Sequence, residues 1–327
     1  MKSKEAQPAI GKKKSGFQYT LKQYWKYRGL FMIMIPSVIM LIIFKYVPIY
    51  GIQIAFKNFR LKAGIWGSPW VGLDVFRKVF GMPIFWQAFQ NTLILGVMNL
   101  VIGFPMPVIL ALLLNEIRHE RYKKTLQTIS YLPHFVSWIT LSGLFITLLS
   151  PSTGPVAALY RLFGAQPYYF MGEVSTFRWV LVVTNVWKSI GWGSIVYLAA
   201  LSGVDQEMYE AALIDGASRF QRIWYITLPS IAPTVTIMLI LRAGSIVSDN
   251  FDQVFNMSNA AVYKVANVLG VYTYEIGLKN MKYSESTAIS LFLNVISFAM
   301  VMLTNTVSKK VNDYGIWKER GRENGNQ

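Results

Sequence analysis

The sequence predicts an all-α integral membrane protein of six transmembrane helices, and three observations carry that prediction. Hydrophobic residues make up 53% of the 327 and charged residues only 15%, against roughly 25% charged in a typical soluble domain. Six apolar runs approach the length of about 20 residues that crosses roughly 30 Å of hydrocarbon. Lys and Arg concentrate beside alternate ends of those runs, as the positive-inside rule produces.

The runs cover residues 30–47, 92–114, 129–149, 179–201, 231–247 and 288–307. They divide the chain into a basic cytoplasmic N-terminus (1–29), a transmembrane domain (30–307) and a cytoplasmic C-terminal tail (308–327). The first run lacks a small-residue cleavage site after its apolar core, so it reads as a retained span rather than a signal peptide. In the fifth, Arg242 interrupts the apolar pattern and Pro229 and Pro233 stand at the entrance. With the N-terminus inside, the inner connections hold 19 Lys and Arg and the outer ones 10. Both termini are thereby expected in the cytoplasm of a multi-pass membrane protein.

Composition also excludes several classes. There is no cysteine, hence no disulfide framework and no thiolate chemistry. The two histidines, His119 and His134, make no cluster at metal-ligand spacing. The net charge of +16 follows from membrane topology and does not imply nucleic acid as a partner. No P-loop occurs: Gly11 and Gly16 have the glycine spacing, but Phe17 and Gln18 stand where Lys and Ser or Thr are required.

One polar stretch, residues 205–229, lies in an inner connection and reads as helix, turn, helix. Asp205 suits the N-cap of a first helix and Gly216 the left-handed position that ends it. Ser218 followed by Gln221 forms a capping box that opens a second helix. Phe220, Ile223, Trp224 and Thr227 then share a stripe at helical spacing, with Arg219 and Arg222 pointing elsewhere. The result is an elbow presenting an apolar knob.

This stretch resembles the cytoplasmic EAA loop of ABC importer permeases. Glu210, Ala211, Ala212, Gly216, Ile226, Leu228 and Pro229 match every specified position of that pattern, which chance would supply on the order of once in ten thousand such chains or more rarely. The resemblance implies the type I importer permease fold, with the elbow as a coupling helix seated in a cleft of a separate ATPase. It assigns ATPase coupling to Glu210, Ala211, Ala212, Asp215, Gly216, Ala217, Phe220, Ile226, Leu228 and Pro229. It implies a permease that is not itself an enzyme and binds no cofactor, with ATP and Mg on an ATP-binding subunit dimer. A second permease subunit, related but different, completes a heterodimer, and an extracellular solute-binding protein delivers the substrate.

Further passages are similar to the carbohydrate branch of these permeases, in particular to subunits importing oligosaccharides released from polysaccharides. They are Pro36-Ser37 with the run to Pro48, Tyr50 through Phe59, Trp70 through Leu73, and Asn91-Thr92. The outer connection 48–91 is rich in aromatics and is expected to hold short interfacial helices. The outer connection 248–287 is either a docking surface for the binding protein or a solvated loop.

Polar groups within the spans need partners or a water-filled cavity, because an ionisable residue at mid-membrane costs at least about 2.5 kcal/mol. Asn185, Lys188, Ser189 and Trp192 fall on one face of the fourth span. Lys188 lies nine residues from Trp179, about 14 Å deep. Arg242, Ser245 and Asp249 share a face of the fifth. One reading has Lys188 and Arg242 lining a cavity for an acidic oligosaccharide, with Trp187 or Trp192 stacking on sugar rings. The other pairs a cation with Asp249 or with a carboxylate of a partner subunit. Asn99 and Asn294 are expected to make interhelical hydrogen bonds.

Two alternatives remain at this level. The chain is an ABC importer permease for a non-sugar solute such as a peptide, or an ion-driven secondary transporter. The latter needs acidic coupling residues in mid-membrane and an internal repeat, and the spans hold almost no Asp or Glu.

Overall fold

The computed structural model describes residues 25–247 and 251–312, with side chains to 310. Among them are helices and turns with no β-strand. The chain divides into two units, Met1–Gln53 and Ile54–Gln327.

In the first unit, α1 (Arg28–Leu41) runs into a π turn at Ile42–Tyr46 and then a 3-10 stretch, Val47–Phe56, that crosses the unit boundary. No residue of α1 or of the π turn is buried. A helix apolar all round suits lipid or a partner, because in water it would expose every one of those side chains.

The second unit begins with an aromatic layer. Phe56 stacks on Trp70 at 5.6 Å beside the isolated bridge between Lys57 and Trp70. After a single turn at Gly64–Gly67 comes α2 (Asp74–Phe80), and both short helices fall within the connection expected to hold them. Phe80, Phe85 and Phe292 then meet at centroid distances of 5.1 to 5.7 Å. Lys78 reaches the buried Glu285 across this layer at 2.6 Å.

Pro83 opens α3 (Pro83–Met98), where its missing N–H costs nothing. A π turn at Asn99–Gly103 precedes α4 (Pro105–Asn115), so the second span is longer than the apolar run that announced it. The third span departs further from expectation. Instead of one helix over 129–149, α5 (Glu120–Tyr131) ends in a 3-10 turn at Leu132–Phe135, and α6 (Trp138–Leu148) restarts at an angle of 103°. Pro133 removes a backbone donor at the break. Ser137 starts the new helix by accepting the Thr140 N–H at 3.2 Å.

After the short α7 (Pro155–Leu162) comes α8 (Val174–Ser202), of 29 residues, or about 43 Å. It packs along α4 through Val108, Ala111, Tyr197 and Leu201. At Gly191 it crosses the end of α5 so closely that a Cβ would lie 2.0 Å from the Ser130 carbonyl oxygen. Small residues permit such crossings in membranes.

The elbow helices α9 (Gln206–Ile214) and α10 (Arg219–Arg222) follow, then a π turn at Ile223–Thr227 and α11 (Leu228–Gly244). The fifth span is thus continuous with the second elbow helix from Arg219 to Gly244, rather than starting at residue 231. The segment after α11 contains α12 (Phe251–Met257) and α13 (Leu269–Tyr274), which join Phe177, Leu181 and Val182 of α8 and Phe85 of α3 in two buried apolar clusters. Most of this connection is therefore packed rather than solvated. The chain ends its described part in α14 (Tyr283–Asn312).

Among the described residues, four helical runs are long and apolar enough to cross a bilayer, and the bent pair α5 and α6 makes a fifth if counted as one span. α8 has the length but not the same apolarity, since Arg178, Asn185 and Lys188 lie within it.

Candidate functional site: an exposed helical elbow and a capped helix break

The elbow is held by its own backbone chemistry. Asp205 accepts the Glu207 N–H at 3.0 Å and so caps α9. At the other end Gly216 has φ +77°, a left-handed conformation that glycine adopts without steric cost. Ala217 N–H then reaches the Ala212 carbonyl at 2.9 Å and Gly216 N–H the Leu213 carbonyl at 3.1 Å. Those two bonds are the Schellman pair that satisfies the last carbonyls of a helix. The expected capping box is present, with Ser218 N–H to Gln221 Oε1 at 2.8 Å and Gln221 N–H to Ser218 Oγ at 3.3 Å.

The widened turn at 223–227 corrects one expectation. An extra residue in the turn rotates Thr227 off the stripe of Phe220, Ile223 and Trp224, and it is buried. Its hydroxyl meets the Tyr209 hydroxyl at 2.9 Å and donates to the Arg222 carbonyl at 3.3 Å. Leu228 and Tyr209 pack on the cluster of Tyr197, Leu201 and Ile231.

The opposite side of the elbow is bare. Ile214 is 86% exposed, Tyr225 74% and Phe220 72%, with Leu213 and Trp224 also open. Phe220 stacks on Trp224 at 6.2 Å. Glu210, Ala211, Asp215 and Pro229 are exposed too, while Ala212, Ala217, Ile226 and Leu228 are half-buried. The motif residues thus divide between an outward face and an anchoring face. Leu213, Ile214 and Tyr225 belong to the outward face and lay outside the motif. Their signal was an isoleucine and an aromatic residue in an otherwise polar connection.

Of the polar and aromatic residues expected on the solute path, Lys188 and Trp192 meet the break in the third span. The Lys188 ammonium donates to the carbonyls of His134 (3.0 Å), Pro133 (3.4 Å) and Val136, and lies 5.4 Å from the Trp138 ring centroid. The Pro133 carbonyl also accepts the Val136 N–H at 3.3 Å, and the ammonium adds a donor at the break between α5 and α6, where helical bonding is incomplete. Trp192, one turn further along α8, stacks on His134 at 4.5 Å with 2° between the planes. Trp187 meets Phe145 of α6 edge-on at 5.6 Å. Asn185 donates to Asn99 Oδ1 at 2.8 Å across to α3 and its π turn, the interhelical bond expected of Asn99. Arg242 on α11 is exposed and has no ion-pair partner among the described residues. Asp249 lies outside the described residues.

A second polar network was not anticipated. Gln253 is 2% exposed and donates to the Leu181 carbonyl at 2.7 Å and Thr184 Oγ1 at 2.8 Å. Arg178 donates to Asn91 Oδ1 at 2.7 Å, and Asn91 in turn to the Lys264 and Asn267 carbonyls. These bonds fasten the segment after α11 to α8 and α3. No group of His, Asp or Glu suited to hold a metal occurs among the described residues.

An exposed apolar elbow on a bundle of membrane-length helices defines a class, a membrane component with a surface suited to a separate protein. The comparison with known families makes the class specific: residues 91–312 match the binding-protein-dependent transport system inner membrane component. The chain belongs to that family and is a permease component of an ABC transporter. It is 41% identical over 290 residues to Protein LplB of Bacillus subtilis (strain 168), covering 89% of this chain and 91% of that one. It is 39% identical over 321 residues to the polygalacturonan/rhamnogalacturonan transport system permease protein YteP of the same organism, covering 97% and 100%. Among solved structures it is similar to a chain of a bacterial ABC transporter involved in the import of the acidic polysaccharide alginate. There the TM-score is 0.82 and the identity 37%, over 90% of this chain and 99% of that one.

Proposed function

We propose that this chain is one of two different permeases in an importer that carries oligosaccharides derived from acidic polysaccharides into a bacterial cytoplasm. The observation carrying this reading is the likeness along nearly the whole chain to a polygalacturonan/rhamnogalacturonan permease and to an alginate importer. That transporter has also been solved with an alginate pentasaccharide-bound periplasmic protein, which supports a solute-binding protein as the donor here.

In this reading α8 and the bent pair complete six spans, both termini and the elbow are cytoplasmic, and segments 1–29 and 308–327 flank the membrane domain. ATP and Mg sit on an ATP-binding subunit dimer. The motif residues Glu210, Ala211, Ala212, Asp215, Gly216, Ala217, Phe220, Ile226, Leu228 and Pro229 couple its motion to the spans. Closure of that dimer on ATP draws two elbows together and opens the spans outward. Hydrolysis returns them, so nucleotide binding acts by favouring one of two states.

The substrate pathway is assigned to Asn185, Trp187, Lys188, Trp192, Arg242 and Asp249. Arg242 supplies a cation for uronate carboxylates. Trp187 and Trp192 present half-open rings for sugar faces. Lys188 shapes the wall by holding the helix break. Uptake of galacturonate trimers and of neutral maltotriose by cells carrying the operating importer tests this directly. Uptake of the uronate that is lost on deleting the gene is expected, and uptake of the neutral sugar alone removes the reading.

A further inference from the structure

Behind the elbow, on the side away from the apolar knob, lies a cavity of about 330 Å³ between the ends of α4 and α8 and the two elbow helices. Arg118, Arg219 and Arg222 line it, together with Glu116, Tyr209 and Leu201. Three arginines from two separate segments therefore line one cavity that holds a single acidic residue. No ion pair joins Glu116 to any of them, and none of the three has a carboxylate partner among the described residues. The Nε of Arg222 is buried without a hydrogen-bond partner.

The Arg222 Nε is the costly atom. A buried N–H of a charged group needs an acceptor, and an anion in the cavity would also attract the exposed Arg118 and Arg219. Guanidinium groups match phosphate oxygens in bidentate geometry, and their charge persists at any physiological pH. Neither coupling to an ATPase nor the solute pathway uses these three residues.

We propose that this cavity binds a phosphate ester through Arg118, Arg219 and Arg222. Two sources share that chemistry, the headgroup of an anionic phospholipid and a soluble phosphorylated metabolite. Occupancy ties the end of α4 to the second elbow helix, so the anion stiffens the connection through which the elbow moves the spans. The lipid source accords with the cytoplasmic elbow proposed above, whereas the soluble source does not require it.

The test uses the transporter as its intact assembly in nanodiscs, so both leaflets are presented and the outcome does not depend on orientation. Thermal unfolding is followed in phosphatidylcholine discs with and without phosphatidylglycerol, and in phosphatidylcholine discs with glycerol phosphate against sodium chloride of equal ionic strength. Binding is expected to raise the midpoint by about 3 °C or more. A rise in the phosphatidylglycerol discs alone assigns the lipid, and a rise with glycerol phosphate the soluble ester. In Arg118→Gln and Arg219→Gln, both at exposed positions, the rise is expected to fall by more than half, and Arg219→Lys is expected to restore part of it. No rise with either anion, as when a partner subunit's carboxylate fills the cavity, overturns the proposal. An equal rise in all variants overturns it as well.

Discussion

The Tyr209 hydroxyl lies 2.9 Å from Thr227 Oγ1, joining the first elbow helix to the widened turn that leads into the fifth span. The two residues are 18 apart in the chain, and between them hangs the whole exposed knob. The two ends of the elbow are thus joined through a hydrogen bond as well as through the chain.

Removing that bond tests whether the elbow moves as one piece. Tyr209→Phe keeps the ring packed on the inner cluster and deletes one partner, so the expected loss is about 1 kcal/mol. Binding-protein-stimulated ATP hydrolysis by the assembled transporter is expected to fall several-fold, with basal hydrolysis retained. Unchanged stimulation would show that the bond carries no force.

Gly216 tests the turn itself. At φ +77° a side chain costs roughly 1–2 kcal/mol, and Gly216→Val adds β-branching to that strain. The double variant Gly216→Pro with Glu210→Lys is expected to insert normally yet lose transport-linked hydrolysis. Membrane fractionation and an ATPase assay read the two halves of the expectation separately.

The knob should matter for assembly and little for the fold. Ile214 and Phe220 are among the most open apolar side chains of the elbow, so Ile214→Asp or Phe220→Ala is expected to leave the permease's unfolding midpoint within about 0.5 kcal/mol of the parent. Retention of the ATPase on affinity purification is expected to drop at least tenfold, about 1.4 kcal/mol, as for a central interface residue. Full retention would place the contact elsewhere.

Lys188 and Arg242 should separate. Lys188→Met removes the ammonium that bonds three carbonyls at the helix break, and hydrogen bonds to a charged group are worth about 1.5–3 kcal/mol. Lower stability and an equal fall in uptake of acidic and neutral oligosaccharides are therefore expected. Arg242→Gln is expected to spare stability and to reduce uronate uptake selectively. A selective effect at Lys188 instead would return that ammonium to the solute.

Much of the elbow was legible because its signals are local. Ser218 with Gln221, Asp205 and Gly216 act on backbone groups within a few residues, so spacing along the chain is spacing in space. The burial of Thr227 was not legible, since a π turn adds one residue to a helical count without any marker in composition. Lys188 was equally opaque: helical periodicity put it on a face with Asn185 and Trp192, but its acceptors belong to Pro133, His134 and Val136, more than fifty positions earlier. Pro133 removes one helical donor there, but its place in the chain does not give the 103° angle between α5 and α6.

By itself, then, the amino-acid order determined that this chain belongs in a bilayer and how the short loop 205–229 is capped and turned, because hydrophobicity and capping are properties of neighbouring residues. Only the tertiary structure decided where the helices run and break, which side of that loop is bare, what the Lys188 ammonium holds, and that three arginines line one cavity behind the elbow. Each of these depends on groups brought together by helix packing, and no spacing along the chain encodes those distances.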